Sequence, residues 1–358
     1  MEQKKLKPAL TALLQEGTVI PAHPLALTAE RTLDEKRQRL LSRYYIASGA
    51  GGMAVGVHST QFEIRDPQIN LFDTVLRMAM EEVEATNLQR PFIMVAGICG
   101  PTDQAVAEAK LAASLGYDIG LLSMGGLSHY SEKELLERTR AVAAIMPVFG
   151  FYLQPAVGGR IFSYAFWEEF ATIENVVAIK VAAFNRYCTL DVVRAVAASP
   201  RKDAIALYTG NDDNIIADLI TPFRFNINGQ WVEKNFAGGL LGQWAIWTSK
   251  AVELLDRIKA VRADASHNRA DLLAEGVHLT DVNASIFDPA HDFHGCIPGI
   301  HEVLRRQGLL KGTWCLNEKE QLSEGQADEI TRVYTAYPHM NDDAFVTEFL
   351  SQQSDLLS

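Results

Sequence analysis

The first part of the chain alternates short, almost continuously apolar runs with stretches in which apolar residues recur every three or four positions. Continuous apolar runs are typical of strands buried on both faces of a sheet, and the second pattern is typical of amphipathic helices. Regular alternation of the two predicts a parallel sheet with helical connections. The predicted strands lie at residues 18–22, 53–57, 92–96, 119–122, 148–152, 176–180 and 204–208.

An eighth strand is expected at residues 237–241, where a glycine-rich apolar run follows a longer connection. We interpret that connection, residues 221–236, as an inserted loop or hairpin around Asn228-Gly229. Eight strand–helix units close a (β/α)8 barrel, and beyond Arg262 the pattern changes to helices and turns. The sequence therefore predicts an α/β fold, with a (β/α)8 TIM barrel at residues 1–262 and a C-terminal helical region at residues 263–358.

Composition narrows the class of partner. The 358 residues include 33 basic and 44 acidic side chains, a formal net charge of −11, which argues against nucleic acid or an anionic membrane as partner. No stretch is long and apolar enough to predict a transmembrane span. The four cysteines are scattered without metal-binding spacing, which favours reduced thiols and a cytoplasmic location. A small-molecule substrate is the partner we expect.

The most informative residue is Lys180, which closes the apolar run at residues 176–180. Lysine is rarely fully buried, so Lys180 either reaches solvent from a strand end or lies in a pocket. In a pocket, burial would lower the pKa of its amine, and a neutral amine can attack a carbonyl to form a Schiff base. Tyr152 ends the preceding predicted strand, at the same C-terminal rim of the barrel. There a phenol can relay protons while the imine forms.

Five motifs together resemble the dihydrodipicolinate synthase / N-acetylneuraminate lyase family of class I, Schiff-base-forming barrels. The Tyr-Leu-Gln-Pro of residues 152–155 is similar to the family's Tyr-Asn-x-Pro, and the Ala-Ile-Lys of residues 178–180 to its Gly-Ile-Lys. The other three are weaker matches: residues 210–213, the glycine-rich residues 237–242, and residues 58–61. The resemblance covers roughly residues 18–262, and the tail more loosely.

The resemblance implies roles for individual residues. Lys180 would form the imine and Tyr152 would be the catalytic phenol. Substrate would be bound by the loop that contains His58, Ser59 and Thr60, which would hold a keto-acid carboxylate, and by Gly210. The resemblance also implies a homodimer or homotetramer, and imine chemistry needs neither a cofactor nor a metal.

Several family features are missing. The Gly-Thr-Thr-Gly-Glu carboxylate motif is absent, and residues 124–130 lack the tyrosine pair that the synthases place at a subunit interface. The arginine that binds the synthases' second substrate has only a displaced candidate, Arg160. These departures argue against a role in lysine biosynthesis, but they do not affect the imine chemistry.

Three functions stay open at this level. The first is a class I aldolase-type lyase, an aldolase or dehydratase acting on a 2-keto acid such as pyruvate or a sugar-derived keto acid. The second keeps the imine but uses it for hydrolytic or decarboxylative steps. The third is a catalytically silent barrel that binds or senses a small molecule. Three histidines outside the barrel, His291, His294 and His301, form a weak metal-like pattern, and we expect no metal there.

Overall fold

The computed structural model describes residues 3–264 and 268–357. Within these residues, eight parallel strands form a nearly closed barrel, which confirms the predicted (β/α)8 fold with a C-terminal helical region. The strands occur in the order β1-β10-β7-β6-β5-β4-β3-β2. Their bounds are β1 Val19–Pro21, β2 Gly52–Val55, β3 Ile93–Ile98, β4 Ile119–Leu122, β5 Val148–Leu153, β6 Val176–Ala182, β7 Ala206–Thr209 and β10 Phe236–Leu241.

The remaining two strands form the predicted insertion. Strands β8 (Phe223–Ile227) and β9 (Gln230–Lys234) pair antiparallel as a hairpin. Both residues of its turn have positive φ, 51° at Asn228 and 84° at Gly229. Asn-Gly is the residue pair that adopts this turn most readily, because neither residue is strongly penalised in the left-handed region. The insertion interrupts the chain between the seventh and eighth barrel strands without entering the barrel sheet.

Helices follow most barrel strands, and further helices make up the C-terminal region. Polar side chains cap the N-termini of several helices. Ser131 and Glu134 form a reciprocal capping box, and the Ser163 hydroxyl accepts a hydrogen bond from the Phe166 N–H. The bounds are α1 Pro8–Glu16, α2 Glu35–Ala47, α3 Phe72–Thr86, α4 Thr102–Ser114, α5 Glu132–Ala143, α6 Tyr164–Phe170, α7 Arg186–Ala198, α8 Ile215–Ile220, α9 Thr248–Ala263, α10 Arg269–Phe287, α11 Cys296–Arg306, α12 Gln326–Ala336, α13 Asp343–Ser351 and α14 Ser354–Leu357.

The chain divides into two compact units. One unit comprises the described residues up to Thr18 with Ile93–Leu240, and the other comprises Val19–Phe92 with the described residues from Leu241 onward. Each unit therefore carries part of the barrel, and the boundary after residue 262 stays a prediction. Among the described residues, no helix has the length and apolar character needed to cross a membrane.

Candidate active site

The register between β5 and β6 decides which side chains share the barrel interior with Lys180. Lys180 lies opposite Phe151, and Ile179 lies opposite Gly150. A Cβ atom on Gly150 would lie 2.6 Å from the ring of Phe170 on helix α6, so this position faces the outer helices. Successive strand residues point to opposite faces. Phe151 and Lys180 therefore both point into the barrel.

The amine of Lys180 is enclosed. Lys180 is 8% exposed, and its Nζ lies 4.5 Å from the ring centroid of Phe151. Burial lowers the pKa of the amine to about 8, and the carboxylate of Asp212 opposes part of that change. At pH 7 about a tenth of such an amine is neutral, against well under a thousandth for an exposed lysine. The lysine is thus buried on the sixth strand as expected, and does not reach solvent.

The side chain of Lys180 packs against the C-terminal end of strand β7. A Cβ atom at Gly210 would lie 2.6 Å from the Lys180 Cε and 2.9 Å from the Cβ of Ala182. The Gly210 N–H donates to the Val181 carbonyl at 2.7 Å, which holds this backbone next to β6. Gly210 is therefore the position that makes room for the lysine. Its predicted role in substrate binding stays a prediction.

A buried network fixes the loop between β7 and α8. The carboxylate of Asp218, which is 0% exposed, accepts hydrogen bonds from Thr209 Oγ1 at 2.7 Å and Asn211 Nδ2 at 2.9 Å. It also forms an ion pair with Arg186 at 2.6 Å. Because Asp212 follows Asn211 directly, this network fixes the backbone next to Asp212. Neither Asp218 nor its network was predicted, since polar residues in a helix of six residues give no distinctive signal.

Tyr152 points away from the barrel interior. It lies opposite Val181 in the register, one position from the pair that contains Lys180. Its ring centroid is 5.2 Å from that of Trp167 on α6, and its hydroxyl accepts from the Phe162 N–H at 3.4 Å. Burial and a hydrogen bond with Cys188 on α7 raise the pKa of the phenol. The hydroxyl therefore belongs to the outer helix layer.

The predicted contact between the Tyr152 hydroxyl and Lys180 is thus not formed, although the two strands are neighbours as expected. The reason is an irregularity in the pairing. Val148 pairs with Val176, a spacing that would also pair Tyr152 with Lys180, but the register shifts by one residue after Val148. A shift of one residue exchanges the faces that the side chains occupy. The implied role of Tyr152 as proton relay stays a prediction.

The loop after β2 uses its hydroxyl groups to hold its own backbone. It forms a short 3-10 helix, His58–Thr60. The Ser59 hydroxyl donates to the Ala22 carbonyl at 2.8 Å, and the Thr60 hydroxyl donates to the His23 carbonyl at 2.7 Å. Both side chains are buried. The predicted binding of a carboxylate by His58, Ser59 and Thr60 stays a prediction, and the two hydroxyl hydrogens are already used within the protein.

Arg160 ties two loops together. Its Nη1 donates to the Tyr130 carbonyl at 2.6 Å, which joins the loop after β5 to the loop after β4. The guanidinium carbon also lies 5.4 Å from the ring centroid of Phe162. This placement gives Arg160 a structural partner, and its predicted contact with a substrate carboxylate stays a prediction.

The three histidines of the metal-like pattern have separate environments. His301 is buried within α11, and burial lowers the pKa of its imidazole to about 4. His291 contacts the carboxylate of Asp288 at 2.6 Å, and His294 is exposed. In the described ranges 3–264 and 268–357, no three His, Cys, Asp or Glu side chains are grouped closely enough to hold a metal ion.

No family model and no curated protein sequence matches the chain. Solved structures do match. Dihydrodipicolinate synthase from Oceanobacillus iheyensis has a TM-score of 0.71 at 18% identity, over 92% of this chain and 98% of that one. N-acetylneuraminate lyase from Fusobacterium nucleatum, complexed with pyruvate, has a TM-score of 0.69 at 16% identity, over 92% and 99%.

A third match is YagE, a prophage protein of the dihydrodipicolinic acid synthase family from Escherichia coli, in complex with pyruvate. Its TM-score is 0.68 at 16% identity, over 90% of this chain and 97% of that one. The chain therefore shares the barrel fold of these synthases and lyases along nearly its whole length. The likeness that the five sequence motifs indicated is confirmed at the level of the fold.

Proposed function

We propose that the protein is a Schiff-base-forming lyase, of aldolase or dehydratase type, that acts on a 2-keto acid through Lys180. The observation that carries the proposal is an amine that points into the barrel interior, is 8% exposed and has a pKa lowered to about 8. An amine in this state is a nucleophile near neutral pH. The presence of pyruvate in two solved structures of the same fold supports a keto acid as substrate.

The proposed reaction begins when the neutral amine of Lys180 attacks the keto carbon. The carbinolamine that forms loses water to give an imine, which is protonated on nitrogen. The positive nitrogen withdraws electrons, so a bond one carbon further along can break with its electron pair moving toward the imine. In an aldol cleavage this is a carbon–carbon bond: the hydroxyl on the departing carbon loses its proton, that carbon leaves as a carbonyl, and the enamine left on Lys180 is protonated back to the imine. In a dehydration the bond that gives its electrons to the imine is a neighbouring C–H bond, and the resulting enamine expels a hydroxyl group from the next carbon. Water then hydrolyses the imine and frees the lysine.

We assign the proton transfers around the amine to Asp212. Its carboxylate is half-buried and interacts electrostatically with Lys180. Gly210, two residues earlier, lies against the same lysine, and the Asn211 amide fixes the loop between them. A carboxylate here can accept a proton from the amine and return it to the departing hydroxyl of the carbinolamine. Tyr152 would otherwise supply this step, but its hydroxyl faces the outer helices.

A second function has one specific observation in its favour. The Ser59 and Thr60 hydroxyls, which would bind a keto-acid carboxylate, are engaged with backbone carbonyls. A barrel without that binding group fits a catalytically silent protein that binds or senses a small molecule. The buried state of Lys180 favours the enzyme, because a charged group is costly to bury without a use.

Borohydride trapping tests the proposal. Wild-type protein is incubated with pyruvate, reduced, and measured by intact mass and by peptide mapping. We expect one added 1-carboxyethyl group, the reduced form of the pyruvate imine, on the peptide that contains Lys180. Lys180→Ala and Lys180→Arg should both abolish it, because a guanidinium does not deprotonate in this range.

Lys234→Arg is the matched control, since burial also lowers the pKa of Lys234, which lies in the hairpin. This variant should trap pyruvate normally. Wild-type protein that gains no mass with pyruvate or any other small 2-keto acid would favour the silent binding protein.

A further inference from the structure

The interior wall next to Lys180 stays apolar toward the C-terminal ends of β5 and β6. Leu153 lies opposite Ala182, two positions beyond the pair formed by Phe151 and Lys180. Since strand side chains alternate, Leu153 and Ala182 face the same interior. The short distance from a Cβ at Gly210 to the Ala182 Cβ, 2.9 Å, agrees with this orientation. A substrate bound to the amine therefore meets hydrocarbon on this side.

The neighbouring strand contributes a single hydroxyl group to this wall. Leu122 of β4 pairs with Gly150 and so faces outward, which turns the next residue, Ser123, inward. A Cβ at Gly125 would lie 3.3 Å from the Ser123 Oγ and 3.5 Å from the Leu153 side chain. The Ser123 and Leu153 side chains therefore both lie next to Gly125. The Ser123 Oγ already accepts the Gly125 N–H at 3.1 Å.

Three polar side chains near this wall are turned away or engaged. The Tyr152 hydroxyl contacts the helix layer, and the Arg160 guanidinium donates to the Tyr130 carbonyl. The Asn211 amide is used by the Asp218 network and by the Phe184 N–H. A chain of hydroxyl groups lying along β5 and β6 would lose its bonds to water and find few replacements there. A wall that offers few hydrogen-bond partners among the described residues disfavours hydroxyl groups lying along it.

We infer that the substrate is a 2-keto acid whose chain beyond the keto group is a hydrocarbon, aliphatic or aromatic, and not a polyhydroxylated sugar chain. This inference rests on the proposed function, since it concerns the chain of a keto acid bound to Lys180. The wall formed by Phe151, Leu153 and Ala182 packs against that chain. The Asp212 carboxylate is assigned to the proton transfers at the amine and not to binding this chain.

The test compares trapping by keto acids that differ only beyond the keto group. Wild-type protein is titrated with pyruvate, 4-methyl-2-oxopentanoate, phenylpyruvate and 2-keto-3-deoxygluconate, each followed by borohydride reduction and peptide mapping. We expect all adducts on Lys180, with half-saturation by at least one of the two hydrocarbon acids at a concentration tenfold or more below that of the sugar acid. Trapping of the sugar acid at an equal or lower concentration would overturn the inference while leaving the lysine chemistry intact.

A variant pair locates the preference in the wall. Leu153→Asn should raise half-saturation by the preferred hydrocarbon acid about tenfold more than half-saturation by pyruvate, and a cooperative thermal melt shows that the variant is folded. Leu153→Met, which keeps the apolar contact, should behave as wild type. If Leu153→Asn raised half-saturation equally for pyruvate and for the hydrocarbon acid, the wall would not be the source of the preference. Failure of wild-type protein to trap pyruvate would overturn the proposed function and this inference with it.

Discussion

The amine of Lys180 lies 4.5 Å from the ring centroid of Phe151, its partner across the β5–β6 pair. The ring covers the amine on one side and excludes water, which favours the neutral form. The same ring face attracts the ammonium form, as does the Asp212 carboxylate, and so both limit the shift. The pKa of about 8 reflects the excess of desolvation over these attractions.

Imine formation should depend on pH through this amine. We expect the rate of pyruvate trapping at low pyruvate to rise about tenfold per pH unit below pH 8 and to level off above it, because only the neutral amine attacks. Trapping rates measured from pH 6 to pH 10 check this. A midpoint near 10.4, the value for an exposed lysine, would mean that the amine is hydrated in solution.

Replacing the carboxylate next to the amine should separate its two effects. Asp212 raises the pKa of Lys180, so Asp212→Asn should move the midpoint of the pH profile to a lower value. The same variant should slow trapping at saturating pH by 10- to 100-fold if the carboxylate transfers protons, within the range for general acid–base catalysis. Asp256→Asn, at an exposed position of α9, is the control. A lower midpoint with an unchanged maximal rate would leave Asp212 a purely electrostatic role.

Removing the lysine's charge should stabilise the fold at neutral pH. The folded pKa of about 8 lies below the unfolded value near 10.4, so the folded state binds fewer protons between these values and wild-type stability rises with pH there. Below pH 8 the cost is at most roughly 3 kcal/mol. Lys180→Met should therefore raise the free energy of unfolding at pH 7 and lose most of that advantage at pH 10.5. Urea denaturation at the two pH values measures the difference, and an equal effect at both would contradict it.

A methyl group at position 210 should displace the lysine. The Cβ of Gly210→Ala would lie 2.6 Å from the Lys180 Cε, well inside van der Waals contact. We expect trapping to fall by tenfold or more, with a loss of about 1–3 kcal/mol in stability from overpacking. Gly242→Ala is the matched control, because its nearest atom, on Phe287, would be 3.4 Å away. Normal trapping by Gly210→Ala would show that the lysine has room to move.

The phenol of Tyr152 should prove dispensable for imine formation. Tyr152→Phe keeps the ring against Trp167 and removes a hydroxyl that faces the outer helices. Trapping should stay within twofold of wild type, and stability should fall by about 0.5–1.5 kcal/mol, the usual value of one hydrogen bond. The thermal stability and the pyruvate-trapping rate of Tyr152→Phe are both measured. A tenfold slower reaction with normal stability would restore the phenol as the proton relay.

The sequence by itself determined the fold and the residue that carries the proposal. Apolar runs alternating with helical patterns predicted a barrel, because strands buried on both faces leave a continuous hydrophobic signal. Asn228-Gly229 predicted the hairpin turn from local geometry alone, since both residues tolerate positive φ. Lys180 was recognisable because a lysine within an apolar run is rare. The apolar runs, the Asn-Gly turn and the lysine within an apolar run are each defined by residues close together in the sequence. One sequence is therefore enough to identify them.

Tertiary structure decided which groups surround the amine. Tyr152 and Lys180 stand at a spacing that suggests a pair, but the shift in pairing after Val148 puts Phe151 opposite the lysine. No pattern in the sequence marks an irregularity of one residue between two strands, and it exchanges the faces of every later side chain. The hydrogen bonds that occupy Ser59 and Arg160 likewise involve residues distant along the chain. The lysine could be read from the sequence, but its partners depend on how the strands pair.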